Sequence, residues 1–201
     1  MRAFCITLPE TPERTERCRA HFAQAGLTNY EFFWGINAAV AGLSTSHAYE
    51  LDAPGSGYRI GAKRTGTWLS HYMLWLCLTR LPDEHFLVFE DNALLCEGFP
   101  EKLASAMRDV PQNFDLLFPG SCCAQNNPKT HIAGDVYESK AMMCTHGYVV
   151  RRGALGILLA MRKMWAPLDI QMKLECYPQL RTYAVLPRIV EQFAHGLGLE
   201  P

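Results

Sequence analysis

The chain has 201 residues, of which 49% are hydrophobic and 11% aromatic, enough to bury the core of one domain without disulfides or metal to staple it. A formal net charge of -1 gives no electrostatic reason to expect nucleic acid or an anionic membrane as a partner. The eight cysteines are scattered and form no CxxC or Cys/His zinc pattern. Met1 to Pro9 is too short for a signal peptide, and the apolar run Leu155 to Met161 falls far below the ~18 residues that span a bilayer. A cytoplasmic protein with no transmembrane segment is expected.

In chain order, Phe4 to Leu8 reads as a buried strand, and Thr11-Pro12 opens a helix that Gly26 stops. Tyr30 to Trp34 is a second strand, and Ala41 to Ile60 lacks periodicity and reads as a long loop. Leu69, Met73, Leu76 and Leu81 recur at helical spacing and predict a helix over Thr67 to Leu81. A strand over Phe86 to Asn92, a helix over Phe99 to Val110 and a strand over Phe114 to Phe118 follow. Ser121 to Ser139 reads as loop, Met142 to Val150 as strand, Gly153 to Met164 and Leu168 to Tyr177 as helices, and Thr182 to Leu186 as a last strand. The alternation implies one α/β domain over 1–201, a Rossmann-like, mostly parallel sheet covered by helices on both faces.

The most informative stretch is Phe86-Leu87-Val88-Phe89-Glu90-Asp91-Asn92, an apolar run ending in two acids and an amide. In open α/β sheets ligands bind at the carboxyl edge of the strands, where this triplet falls. Carboxylate and amide oxygens suit Mg2+ or Mn2+, and a nucleotide diphosphate held through that ion. A turn or a cap would use the same residues.

The ordered motifs resemble glycosyltransferase family 25, the lipopolysaccharide and collagen-type galactosyltransferases, and more broadly a GT-A nucleotide-sugar transferase. Cys5-Ile6-Thr7-Leu8, followed by Arg14 and Arg17, stands for the family's V-I-N-L strand and arginine-bearing helix. Gly35-Ile36-Asn37-Ala38 resembles its A-V-D-G-like turn, and Gly66 to Trp75 its G-C-x-x-S-H-x-x-x-W helix start. The strand ending in E-D-D corresponds to Phe86 to Asn92, the T-x-A-Y-x-x-S-x-x-G-A pattern to Thr145 to Ala154, and P-x-D to Pro167-Leu168-Asp169. A closing proline-valine-glutamine pattern resembles Pro187 to Gln192.

The resemblance implies transfer of a hexose, galactose or glucose, from a UDP-sugar to a hydroxyl of a glycan or glycoconjugate, with inversion and assistance from Mn2+ or Mg2+. Thr7, Leu8, Pro9, Arg14, Asn37, Ser70, His71, Glu90 and Asp91 would hold the nucleotide. Asp91, Asn92 and a tail histidine, His195, would hold the metal, and Asp169 would be the catalytic base. Two departures stand out. Asn92 replaces the third acid, the usual direct metal ligand, and Asn37 replaces an acid expected near the base. The loss of charge at Asn92 leaves two alternatives, a nucleotide-sugar binding protein weakened in catalysis and another GT-A-like nucleotide-dependent transferase.

Overall fold

Apolar side chains alternate along Arg2–Thr7 and His85–Glu90, strands β1 and β3, so that each strand feeds two cores. Phe4, Ile6, Phe86 and Val88 face one, and Ala3, Cys5, Leu87 and Phe89 the other, as the period of two in a strand requires. A computed structural model describes residues 1–43, 61–122 and 129–193. The remaining elements are α1 (Pro12–Gln24), β2 (Glu31–Trp34), α2 (Ala62–Leu78), β4 (Ala93–Leu95), α3 (Phe99–Asp109), β5 (Leu116–Phe118), β6 (Thr130–Ala133) and β7 (Val136–Glu138). After them come β8 (Gly147–Arg151), α4 (Leu155–Leu158), α5 (Leu168–Gln171), β9 (Thr182–Val185) and β10 (Val190–Gln192).

Eight strands form one sheet in the order β2-β1-β3-β8-β5-β9-β7-β6. β1 is parallel to β2 and β3, and β5 to β9, while β8 and β7 run against their neighbours. The other six strands therefore share one direction, and the sheet is mostly parallel. Trp68, Leu74, Trp75 and Leu78 of α2 cover one face together with α4 and α5. Cys18 and Phe22 of α1 and Phe99, Leu103 and Ala106 of α3 cover the other, which gives the helix-clad α/β architecture expected.

Several boundaries differ from the sequence reading, each for a local reason. α2 begins at Ala62, ahead of the expected Thr67, because Gly66 and Ser70 face the turn after β2 rather than a solvent cap. The strand expected over Met142 to Val150 starts only at Gly147, since Cys144 has a φ of 69° and extended pairing cannot pass through a left-handed residue. The predicted helix over Gly153 to Met164 shrinks to the turn Arg152–Ala154 and to α4. There Ala160 and Met161 bond to carbonyls three residues back, and that tighter winding still buries Leu155, Leu158, Met161 and Met164.

Ser121 to Ser139, expected as loop, contains the edge hairpin of β6 and β7 turned at Gly134, whose φ is 50°. β4 and β10 pair antiparallel as a separate ribbon. Cys122 is joined to Cys144 by a disulfide, a pairing not foreseen from the scattered cysteines.

Candidate active site

Because β1, β2 and β3 are parallel, their carboxyl ends meet at one edge. Thr7, the turn Gly35 to Ala38, and Glu90-Asp91-Asn92 come together there around a cleft of about 240 Å3. Of the residues named from the sequence, Thr7, Leu8, Arg14, Asn37, Ser70, His71, Glu90, Asp91 and Asn92 line it. Pro9 is exposed and outside this lining. His195 lies outside the described residues, as does most of the Ala41 to Ile60 loop.

Asp91 is buried, and each of its oxygens has a partner. Oδ1 pairs with the Arg14 guanidinium, and Oδ2 accepts from the Thr7 hydroxyl at 3.1 Å. Burial outweighs both partners and holds this carboxyl above its ordinary range. Two buried atoms in the cleft have no hydrogen-bond partner, Nε of Arg14 and Oδ1 of Asn92. One is a cationic donor and the other a neutral acceptor. Buried polar groups of this kind are costly unless something binds them.

Glu90 sits over a chain of bonds that rises from the core. Trp75 Nε1 donates to the Tyr148 hydroxyl oxygen at 2.8 Å, and that hydroxyl lies 2.9 Å from His71 Nδ1. His71 Nε2 is 3.3 Å from Glu90 Oε1, which also accepts from the Thr145 hydroxyl at 2.5 Å. Since the indole N–H can only donate, the Tyr148 oxygen accepts from Trp75, and the direction of the Tyr148–His71 and His71–Glu90 bonds follows the protonation of the imidazole. Burial works to raise the Glu90 carboxyl, but the bond to His71, its charge interaction and the Thr145 hydroxyl together bring it below its usual range. Thr145, Tyr148 and Trp75 received no role in the sequence reading, and the T-x-A-Y echo was the only signal for the first two.

Ser70 is buried and acts on the backbone. Its hydroxyl donates to the Gly66 carbonyl at 2.6 Å and accepts from Ile36 N–H at 2.8 Å, fixing the turn that carries Asn37. Asn37 Oδ1 in turn accepts from Val40 N–H at 3.3 Å.

A second cleft, of about 420 Å3, adjoins the first. Asp169 lines it with Arg64, Cys144, Thr145 and Gln192, and Thr67 and Glu90 are common to both clefts. Asp169 Oδ2 accepts from Cys144 N–H and Oδ1 from Ile170 N–H, both at 2.9 Å. These bonds aim the carboxylate at the start of α5 and leave each oxygen further lone pairs.

The model of glycosyltransferase family 25 (LPS biosynthesis protein) matches residues 1–172. The chain belongs to this family. A glycosyltransferase 25 family member of Drosophila melanogaster is 26% identical over 175 residues, covering 79% of this chain and 28% of that protein. The human inactive glycosyltransferase 25 family member 3 is 28% identical over 138 residues, covering 65% of this chain and 23% of its own. The chain thus spans about a quarter of the length of these curated relatives. Among solved structures, a glycosyltransferase involved in glycosylation of the major capsid of PBCV-1 superposes with a TM-score of 0.52 at 9% identity, over 91% of this chain and 79% of that one. That likeness is one of fold, the GT-A architecture.

Proposed function

We propose that this family 25 domain transfers a hexose from a UDP-sugar to a hydroxyl of a glycan or glycoconjugate, with inversion at the anomeric carbon. The observation that carries the reading is the pair of adjoining clefts that share Glu90, one with an unpartnered Arg14 Nε and the other with the Asp169 carboxylate. A bound diphosphate would accept from Arg14, and the turn at Asn37 would hold the nucleoside. Asp169 would take the proton of the acceptor hydroxyl as its oxygen bonds the anomeric carbon and UDP departs with the bonding electrons. Glu90, held ionised by His71 and Thr145, faces the positive charge that develops on the sugar between the two clefts.

The residues fit a hard divalent cation such as Mn2+ or Mg2+ in their donor chemistry. Asn92 offers a buried oxygen without a partner beside the Asp91 carboxylate, and amide and carboxylate oxygens both serve such ions. Asp91 and Asn92 would hold the ion, with His195 as the tail ligand that the family resemblance implies. When bound, it would neutralise charge on the leaving diphosphate. Arg14 offers a fixed positive charge in the same cleft.

Titration of UDP against wild type and Asp91→Ala, with and without Mn2+, tests the donor cleft. Weaker binding in the variant is expected, and unchanged affinity in the presence of Mn2+ would overturn it. The neutral Asn92 favours a second reading, a binding protein without transfer. UDP release that rises when a hydroxyl acceptor is added supports transfer, and retention of UDP-sugar binding with no UDP released in the presence of acceptor supports binding alone.

A further inference from the structure

Cys122, Cys144 and His146 lie beside the second cleft, outside the donor residues. Among the described residues they form a group whose three ligand atoms lie within 4.8 Å of one another. The two sulfurs are joined in a disulfide, with Cα atoms 5.8 Å apart. His146 is 1% exposed; its ring nitrogens make no hydrogen bond of good geometry, and the Val190 backbone is the polar group that acts on the ring. An imidazole so placed is costly in a structure whose only demand on it is packing.

Gly120 is part of the same construction. A Cβ there would stand 2.6 Å from His146 Nε2, so the glycine leaves room for the ring. Cys122 is exposed, which gives reductant and ion access from solvent, and Gln192 Oε1 lies 3.5 Å from its sulfur.

We propose that Cys122, Cys144 and His146 form a thiol-gated site for a soft divalent cation of the zinc class, closed by the disulfide and opened by its reduction. A dithiol reductant passes two electrons and two protons to the S–S bond and is itself oxidised to a disulfide. The thiols then lose their protons as the cation binds two thiolates and the imidazole. A Cys2His set with a fourth position open to Gln192 Oε1 or water matches zinc in donor softness and number. The site stands apart from the Asp91-Asn92 oxygen donors, which suit hard ions. A metal here would fix the Cys144 backbone, whose N–H holds Asp169.

Cobalt(II) serves as the spectroscopic probe. Dithiol-reduced protein, freed of reductant under anaerobic conditions, should take up one Co2+ per chain with a thiolate-to-cobalt charge-transfer band, and Zn2+ should displace it. Oxidised protein should show no band. Cys122→Ser, at an exposed position, and His146→Gln should each weaken Co2+ binding by more than about tenfold, since loss of even an outer-shell partner costs ~10–100-fold. Circular dichroism establishes that each variant is folded, and Cys122→Ser carries the test if His146→Gln is not. Absence of the band in reduced wild type would overturn the proposal. So would a band of unchanged affinity in folded Cys122→Ser or folded His146→Gln, which would locate the ion on other cysteines.

Discussion

Asp169 satisfies two backbone N–H groups, and a general base must also leave a lone pair for the acceptor. A base acts only in the transfer step, so Asp169→Asn should lower turnover by about 10²- to 10⁴-fold while UDP affinity stays near wild type. A carboxylate serving only as a helix-start partner would instead cost about 0.5–2 kcal/mol of stability and leave the folded enzyme active. Melting temperature and acceptor-dependent UDP release on one sample separate the outcomes. In the donor cleft, Asn92 presents an unpartnered oxygen without charge. Asn92→Asp restores a negative donor, and calorimetry should report tighter Mn2+ binding. Unchanged affinity would move the metal away from this triplet. At this scale the sequence was most readable where chemistry followed strand position, as for Glu90 and Asp91. It was silent on Arg14 pairing with Asp91, because the contact spans elements whose relative placement only the sheet order sets.

Between elements, α2 approaches the turn after β2 closely. A Cβ on Gly66 would lie 2.5 Å from the Ile36 carbonyl oxygen, and one on Gly35 would lie 2.8 Å from Ser70 Oγ. Backbone meets backbone at Gly66, so a methyl there must push the turn outward. Gly66→Ala should cost about 1–3 kcal/mol by overpacking and weaken UDP binding through displaced Asn37, both readable from thermal melts with and without UDP. A variant with wild-type UDP affinity would separate the turn from nucleotide binding. Apolar strands β1, β3 and β5 were legible because burial on both faces demands continuous apolar sequence. The ribbon of β4 and β10 was not, since Ala93–Leu95 is too short to carry a period and two of the three residues of Val190–Gln192 are polar.

For the molecule as a whole, fold class and helix-clad sheet followed from the alternation of elements, whereas the Cys122–Cys144 bridge did not. Pairing cysteines requires the distance between two loops, and sequence holds no such distance. Stability across the sheet includes the contact of Asp115 with Arg181, which joins the approaches to β5 and β9. Arg181 donates to both oxygens of Asp115 from Nε and Nη2 at 2.8 and 2.9 Å, and again from its backbone N–H at 2.8 Å. Burial raises the Asp115 carboxyl, but these bonds and the arginine charge outweigh it and hold it below its ordinary range. The depressed carboxyl stabilises the fold above the unfolded value of about 3.9, and that contribution fades as pH falls through the folded value. Asp115→Asn should therefore melt below wild type at neutral pH, and the gap should close below about pH 4. A gap constant with pH would assign the effect to packing.

Because Thr67 and Glu90 belong to both clefts, their wall would act as a ruler between the donor and acceptor proposed for them. A single compound that joins a uridine diphosphate to a sugar alcohol by a linker of matching length would make its second contact intramolecularly. Its affinity should exceed that of either half by about 10²- to 10⁴-fold, and it should lose that gain when the linker is cut too short to reach past Glu90. Inhibition constants across a series of linker lengths would measure the spacing of the two sites directly, without knowledge of the natural acceptor.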